Sequence, residues 1–152
     1  MSSNDLTQVR DYINTRVAIV DSDLIEWTDS LEDIGNIPKT ILDRSYHITL
    51  GANTSSVTSD IFIEDNFPVV VTIFKRAFNT PVVSRDTLLQ KGNCIRLDII
   101  NIKNVETYKA ANDGNILDVQ SVSITPSEID TSNDNIIKVE VGLNVRLFYK
   151  TT

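Results

Sequence analysis

The chain has 152 residues, of which 41% are hydrophobic and 23% are charged, and this composition excludes wholesale disorder and favours one globular domain spanning residues 1–152. Its formal net charge of -7 argues against a protein that grips DNA, because affinity for phosphates comes largely from clustered Lys and Arg. Its single cysteine, Cys94, excludes an intrachain disulfide and a cysteine-rich zinc site.

The chain carries no recognisable targeting signal. The first residues, Met-Ser-Ser-Asn-Asp, lack the basic start and the apolar run of a secretory signal. No stretch of the sequence approaches the roughly 20 consecutive apolar residues that cross a bilayer. We therefore expect a soluble protein that is not exported by the usual route.

The first predicted element is a helix from about Asp5 to Val20. Asp5 followed three residues later by Gln8 has the form of a capping box, which places the start of the helix near Asp5. Beyond the helix, the apolar cluster around Trp27 is either a short strand or an irregular cover for the core. The apolar residues of the helix recur at spacings of three or four and share one stripe, formed by Leu6, Val9, Ile13, Val17 and Val20.

The middle of the chain predicts two strands joined by a loop. Ser45 to Leu50 alternates between polar and apolar residues, which indicates a strand with one face in the core. Small polar residues from Gly51 to Asp60 predict an exposed loop. The run from Phe67 to Phe78 is rich in β-branched residues, so we expect a central strand covered on both faces.

A second helix and a third strand follow. Apolar spacing predicts a helix from about Ser84 to Ile102, with Gly92 inside it at a cost of about 1 kcal/mol relative to Ala. The residues from Thr107 to Asn115 predict a loop. Alternation returns from Ile116 to Ile124, which indicates a strand.

The last predicted element is a long strand from Ile136 to Tyr149. Pro126 and the polar run from Asp130 to Asn135 are expected to turn the chain into it. Its odd positions are apolar and its even positions mostly polar, and it is much longer than the usual five or six residues. A bare edge of this length would invite pairing with other chains, so we expect either a neighbouring strand or a neighbouring subunit to cover it.

These elements predict the fold class. Their order is helix, strand, strand, helix, strand, strand, and consecutive strands joined by loops usually pair antiparallel. Two amphipathic helices must bury their apolar stripes, and one face of the sheet is the surface against which they can pack. We therefore expect an α+β fold, with a mainly antiparallel sheet of about four strands and two helices packed on one face.

The residue types that carry catalysis do not form a recognisable constellation. His47 is the only histidine, so it cannot build a His-rich metal site, and Cys94 lies among apolar helix positions, where a thiol behaves as a small hydrophobe. The acidic run from Asp130 fails as a calcium loop, because its sixth position is Asn135 instead of Gly and its twelfth is Val141 instead of Glu. The sequence contains no nucleotide-binding or hydrolase motif, so we expect no enzymatic activity, no cofactor and no metal.

Two parts of the surface are candidate assembly contacts. The first is the brief apolar patch that follows the predicted loop, which we expect to be a loop tip that orders against a partner. The second is the even-numbered face of the last strand, opposite the side chains predicted to hold the helices. The candidate contacts are Ile61, Phe62, Ile63, Glu64, Asp65, Lys138, Glu140, Arg146 and Phe148.

The pattern of elements resembles the tail terminator, or tail completion, proteins of long-tailed bacteriophages, the group that includes the lambda minor tail protein U. Those proteins are small, acidic and α+β, with an N-terminal helix, a valine-rich strand, a second helix and a closing long hairpin. The matching pieces here are Leu6 to Val20, Pro68 to Phe74, Leu88 to Ile102, and the terminal strand ending Val145-Arg-Leu-Phe-Tyr149.

The resemblance implies a structural virion protein at the head–tail junction, made in the host cytoplasm. It would form a hexameric ring that caps the tail tube, stops its polymerisation and connects it to the head or neck connector. DNA would pass through an acidic channel without specific binding, and no membrane would be involved. Two alternatives stay open, namely another head–tail connector or tail tube subunit, and a monomeric soluble binding domain.

Overall fold

The computed structural model describes residues 5–28, 43–52, 54–59, 62–77, 81–112, 115–131 and 134–150, and every structural statement concerns these residues. They form an α+β fold, which confirms the predicted class. The helices are α1 (Asp5–Val20), α2 (Pro81–Ile100) and α3 (Ile102–Asn112). The strands are β1 (Ile25–Glu26), β2 (Ser45–Leu50), β3 (Thr54–Ser59), β4 (Phe62–Ala77), β5 (Ile116–Thr131) and β6 (Asp134–Lys150).

One mainly antiparallel sheet contains the six strands, in the order β1-β2-β4-β6-β5, with β3 also paired to β4. At its centre, β4 and β6 pair from Phe62↔Lys150 to Ala77↔Asn135. The other side of β4 is shared, because β2 pairs with one half of it and β3 with the other. β5 follows the outer side of β6, and the two-residue β1 pairs parallel with β2. The β5–β6 hairpin therefore forms one side of the sheet, and β4 with β2 and β3 forms the other, with β4 and β6 paired between them.

The core lies between one face of this sheet and the helices. The odd-numbered residues of β6 from Ile137 to Leu147 are buried, as their alternation predicts. Their partners on β4 are buried too, from Phe67 to Ile73 at every second position. The helices contribute the buried residues Val9, Tyr12, Ile13 and Val17 from α1, Leu88, Ile95 and Ile99 from α2, and Val105 from α3.

Gly92 explains how α2 comes so close to the sheet. A Cβ atom at this position would lie 2.8 Å from Cγ1 of Val139 and 3.4 Å from Cδ1 of Ile124. Carbon atoms in contact are normally 3.5–4.0 Å apart, so any larger residue here would force α2 or Val139 to shift. The helix propensity lost at Gly92 is offset by close packing of α2 on β5 and β6.

A cluster of polar contacts ties the three helices together. The Tyr12 hydroxyl donates to the Ile99 carbonyl oxygen at 2.5 Å, and its ring meets Tyr108 edge-on at a centroid distance of 5.4 Å. The Arg16 guanidinium pairs with the Asp98 carboxylate, with Nε 2.6 Å from Oδ2. Burial is the main cause that raises the pKa of Tyr12. These contacts fix α1 and α3 against the C-terminal end of α2.

Three sequence predictions about connections were wrong. The segment from Gly51 to Asp60, predicted as a loop, contains β3, since its Thr and Val residues favour a strand once β4 is beside them. The segment from Thr107 to Asn115, also predicted as a loop, is helical to Asn112. Pro126 does not end its strand, because β5 is an edge strand where a missing N–H need not break a ladder.

Three further predictions were correct only in part. β4 is central, as expected, but it is not covered along its whole second face, where Pro68 is exposed and Val70 only half-buried. The sheet has more than the four strands expected, because β3 was predicted as a loop and β1 was left as either a short strand or an irregular segment. The number of helices also differs, since the predicted second helix breaks at Asn101 and continues as α3.

Candidate assembly surface

The sheet face opposite the helices is the most distinctive surface of the described residues. Paired residues on neighbouring strands point to the same side of a sheet, so the even-numbered residues of β6 share this face with their partners. The pairs Pro68↔Asn144 and Val70↔Gly142 place β4 residues there, and Ser123↔Gly142 adds β5. We call this surface the open face.

A shallow apolar depression lies at the centre of the open face. Its volume is about 390 Å³, and its lining includes Pro68, Val70, Gln120, Val122, Ser123, Gly142 and Asn144. Val122 is 69% exposed, beside a break in register between Ser121 and Ser123. A Cβ on Gly142 would lie 2.5 Å from Oγ of Ser123, so glycine allows β5 and β6 to approach here. Apolar groups exposed together in this way are typical of a contact surface.

Arg146 links three strands beside the depression. Its Nε and Nη2 atoms lie 2.8 and 2.7 Å from Oδ1 and Oδ2 of Asp118, and its Nη1 atom lies 3.1 Å from Oε1 of Glu64. The hydrogen bond that Arg146 donates to the Asp118 carboxylate is the main cause that raises the pKa of Arg146. The Arg146 charge is thus already paired within the chain, and the cluster of one guanidinium and two carboxylates carries a net negative formal charge.

A second ion pair lies farther along β6. Nζ of Lys138 is 2.8 Å from Oε1 of Glu140, and both side chains are partly exposed. At this end of the same face, Thr72, Phe74 and Ile136 are buried. The accessible part of the open face therefore runs from the Lys138–Glu140 pair past the depression to Arg146.

The structure groups five of the predicted contact residues on the open face, namely Glu64, Lys138, Glu140, Arg146 and Phe148. It separates the others from them. Ile63 and Asp65 lie on the helix-covered face, and Asp65 is only 4% exposed, so its side chain is not available to a partner. Ile61 and the side chain of Phe62 lie outside the described residues.

The expected loop tip was wrong for Phe62 and Ile63, whereas Ile61 lies outside the described residues. Phe62 and Ile63 open β4, where Phe62 pairs with both Ser59 and Lys150. The sequence predicted a loop here because polar residues flank the two positions on both sides. Their pairing with Lys150 and Tyr149 involves residues far apart in the chain.

The last strand is not the exposed edge considered from the sequence. β6 has β4 on one side and β5 on the other along nearly its whole length. A neighbour within the domain therefore covers it, and sheet extension through β6 is excluded. The long strand with one described neighbour is β5, which pairs with β6 alone.

Sequence reasoning missed the residues that form the depression. Pro68 and Val70 belong to a run that was expected to be covered on both faces, and Val122 belongs to a strand whose register shift is invisible in a single sequence. A usable signal existed in Pro68, because proline in a valine-rich strand often marks a surface position.

The other residues considered for chemistry have ordinary surroundings. Nδ1 of His47 is 2.7 Å from the carbonyl oxygen of Trp27, which joins the segment after β1 to β2. Cys94 is exposed, so the expectation that it packs as a small hydrophobe was wrong. Within the described ranges, no group of three or more His, Cys, Asp or Glu is placed to hold a metal ion. None of the described helices is long and apolar enough to cross a membrane.

A charged cavity of about 240 Å³ lies between the end of α1 and the start of β2. Its lining carries three carboxylates and three cations, namely Asp21, Asp23, Asp43, Arg44, Lys75 and Lys91. Lys91 Nζ lies 2.5 Å from Oδ2 of Asp21. Burial, the largest single cause, raises the pKa of Asp21, but the hydrogen bonds from Lys91 and the Asp23 backbone, with the charges of Lys91 and Arg44, together outweigh it and leave the pKa below its usual value. With balanced charges, this cavity favours no particular ligand.

Comparisons with protein-family models and with curated proteins found no match to this chain.

Proposed function

We propose that the chain is the subunit of a ring that resembles a phage tail terminator, caps the tail tube, stops its polymerisation and joins it to the head or neck. The observation that carries the proposal is the accessible part of the open face, where an apolar depression lies between ion pairs on the side of the sheet opposite the described helices. A stable surface of this kind suits repeated contact between identical subunits.

Two further features support this proposal. The element order on which the resemblance rests is present as α1, the valine-rich β4, α2 and the β5–β6 hairpin. The net charge of -7 suits a ring that DNA passes through, since like charge repels the phosphate backbone. In the proposed ring the open face contacts a neighbouring subunit or the tube, and the role is mechanical.

The test is sedimentation and negative-stain imaging of the purified protein, with and without tail tubes of the phage that encodes it. We expect a ring that stops at one layer on the tube end. Rods that keep growing would instead indicate a tail tube subunit. A strict monomer at high concentration that ignores added tubes would overturn the proposal and favour a soluble binding domain.

A pair of matched variants locates the contact. Val122→Arg introduces a charge at the depression, and Ile19→Arg introduces the same charge at an aliphatic residue of α1 that is 62% exposed. Both variants should fold with the wild-type circular dichroism spectrum. We expect Val122→Arg to abolish ring formation on tubes and Ile19→Arg to leave it intact. Rings from Val122→Arg would show that the open face is not the contact.

A further inference from the structure

A second apolar recess lies between α2 and β5, on the helix side of the sheet. Its volume is about 400 Å³, and Asp86, Leu89, Gln90 and Asn93 of α2 face Ile124 of β5 across it. We call it the edge groove. It is distinct from the depression on the open face, with which it shares no lining residue.

The groove runs beside the edge of the sheet. Within the described residues β5 pairs only with β6, and every second residue of such an edge strand turns its N–H and C=O groups outward. Ile116 and Val119 are buried, whereas Ile124 is half-buried and the residues from Gln120 to Ser123 are exposed. An edge strand beside a helix with an apolar groove between them is the geometry that accepts an added peptide strand.

The ends of the groove carry opposite charges. Asp86 is exposed at one end. At the other end, Arg96 reaches from α2 to β5, where Nη1 donates to Oγ of Ser121 at 3.1 Å, and Nε donates to Oδ1 of Asn93 at 3.0 Å. The partners of Arg96 among the described residues, Asn93 and Ser121, are both neutral, so no described carboxylate pairs with its positive charge.

The distance between Asp86 and Arg96 sets the length of the segment that fits the groove. Ten residues of helix from Asp86 to Arg96 span about 15 Å, which is the length of four to five residues in a strand. α2 and β5 run in opposite directions here, because Arg96 lies over Ser121 while Gly92 lies over Ile124. Pro126, which has no N–H to offer, limits the pairing segment of β5 to about Ser121 to Thr125.

We propose that the edge groove binds an extended segment of a partner protein that pairs antiparallel with β5 and reads basic–x–aliphatic–x–acidic. Residues at alternate positions of a strand point the same way, so all three specified side chains face the groove. The basic residue meets Asp86, the aliphatic residue fills the space between Leu89 and Ile124, and the acidic residue meets Arg96. Backbone hydrogen bonds to β5 supply the remaining affinity.

The test uses two fluorescein-labelled peptides, Thr-Lys-Thr-Val-Thr-Glu-Thr and its charge-swapped form Thr-Glu-Thr-Val-Thr-Lys-Thr, titrated with the full chain and followed by anisotropy. We expect the first peptide to bind about tenfold more tightly, because two surface charge pairs become two repulsions in the second. Backbone amides from Ser121 to Thr125 should become protected from hydrogen exchange when the first peptide binds.

The double variant Asp86→Lys with Arg96→Glu provides the decisive control. It should reverse the preference and bind the swapped peptide about tenfold more tightly. Lys103→Glu, which changes an exposed charge on α3, should leave the preference unaltered. The proposal is overturned by equal affinity for both peptides, by no binding of either at millimolar concentration, or by a preference that the double variant does not reverse.

Self-association is the competing outcome. If a second copy of the chain occupies the groove, sedimentation will show dimers that the first peptide dissociates and the double variant cannot form, and the partner-peptide proposal is then wrong. Because the groove lies on the opposite side of the sheet from the open face, failure of peptide binding leaves the ring proposal to its own test.

Discussion

Substituting Gly92 by alanine separates two opposing effects on the stability of α2. Alanine is the better helix former by about 1 kcal/mol, so propensity alone predicts stabilisation. The added Cβ, however, would lie 2.8 Å from Cγ1 of Val139, a stiff β-branched residue that is fully buried in β6. The helix must move away from the sheet, or Val139 must leave its rotamer.

The free-energy cost of the added Cβ decides whether Gly92→Ala stabilises or destabilises the protein. Overpacking a well-ordered core costs about 1–3 kcal/mol, which exceeds or equals the gain in propensity. We therefore expect Gly92→Ala to lower the free energy of unfolding by about 1 kcal/mol, within a range of about 0 to 2 kcal/mol. The double variant with Val139→Ala removes the opposing methyl groups, so its loss should be smaller than the sum of the two single losses by about 1 kcal/mol or more.

Urea denaturation followed by circular dichroism measures these differences, and an unchanged dependence on urea would show that the unfolded state is unaffected. Gln90→Ala, an exposed change on the same helix, should stay within about 0.5 kcal/mol of wild type and serves as the control. Stabilisation by Gly92→Ala, or simple additivity in the double variant, would refute close packing of α2 on β6.

Three further predictions concern titration and burial. Burial is the main cause that raises the pKa of Tyr46 from 10.0 to about 12. The stability that protonated Tyr46 contributes to the fold is therefore complete below pH 10 and lost by about pH 12. In urea titrations, the difference in the free energy of unfolding between wild type and Tyr46→Phe should change over that interval. Burial alone would raise the pKa of Asp21, but its contacts with Lys91, the Asp23 backbone and Arg44 together lower it below 3.8. The stability advantage of wild type over Asp21→Asn should therefore hold above pH 3.8 and vanish in stronger acid, and an advantage that persists there in urea titrations would contradict these contacts. Val141→Asp puts a charge at a fully buried position of β6 and should abolish the native circular dichroism spectrum, whereas a cooperative transition at the wild-type temperature would place Val141 at the surface.

The candidate surface was only partly predictable from the sequence. The even-numbered face of β6 was identified correctly as a face, because Lys138, Glu140 and Arg146 alternate with apolar residues over a long stretch. Its centre was not, since the depression combines Pro68 of β4 with Val122 of β5, which are distant in the chain and meet only across β6. The edge groove was missed for the same reason.

Elements with a local signal could be assigned from the amino-acid pattern. The stripe of α1 and the alternation of β6 repeat within each element, so helix and strand could be assigned from spacing alone, and with them the α+β class. Only the tertiary structure decided which strands were neighbours. β3 exists because β4 lies beside it, β6 is central because β5 covers it, and Gly92 is tolerated because β6 packs against it. Cross-strand pairing and close packing depend on residues far apart in the chain, and a single sequence carries no direct record of them.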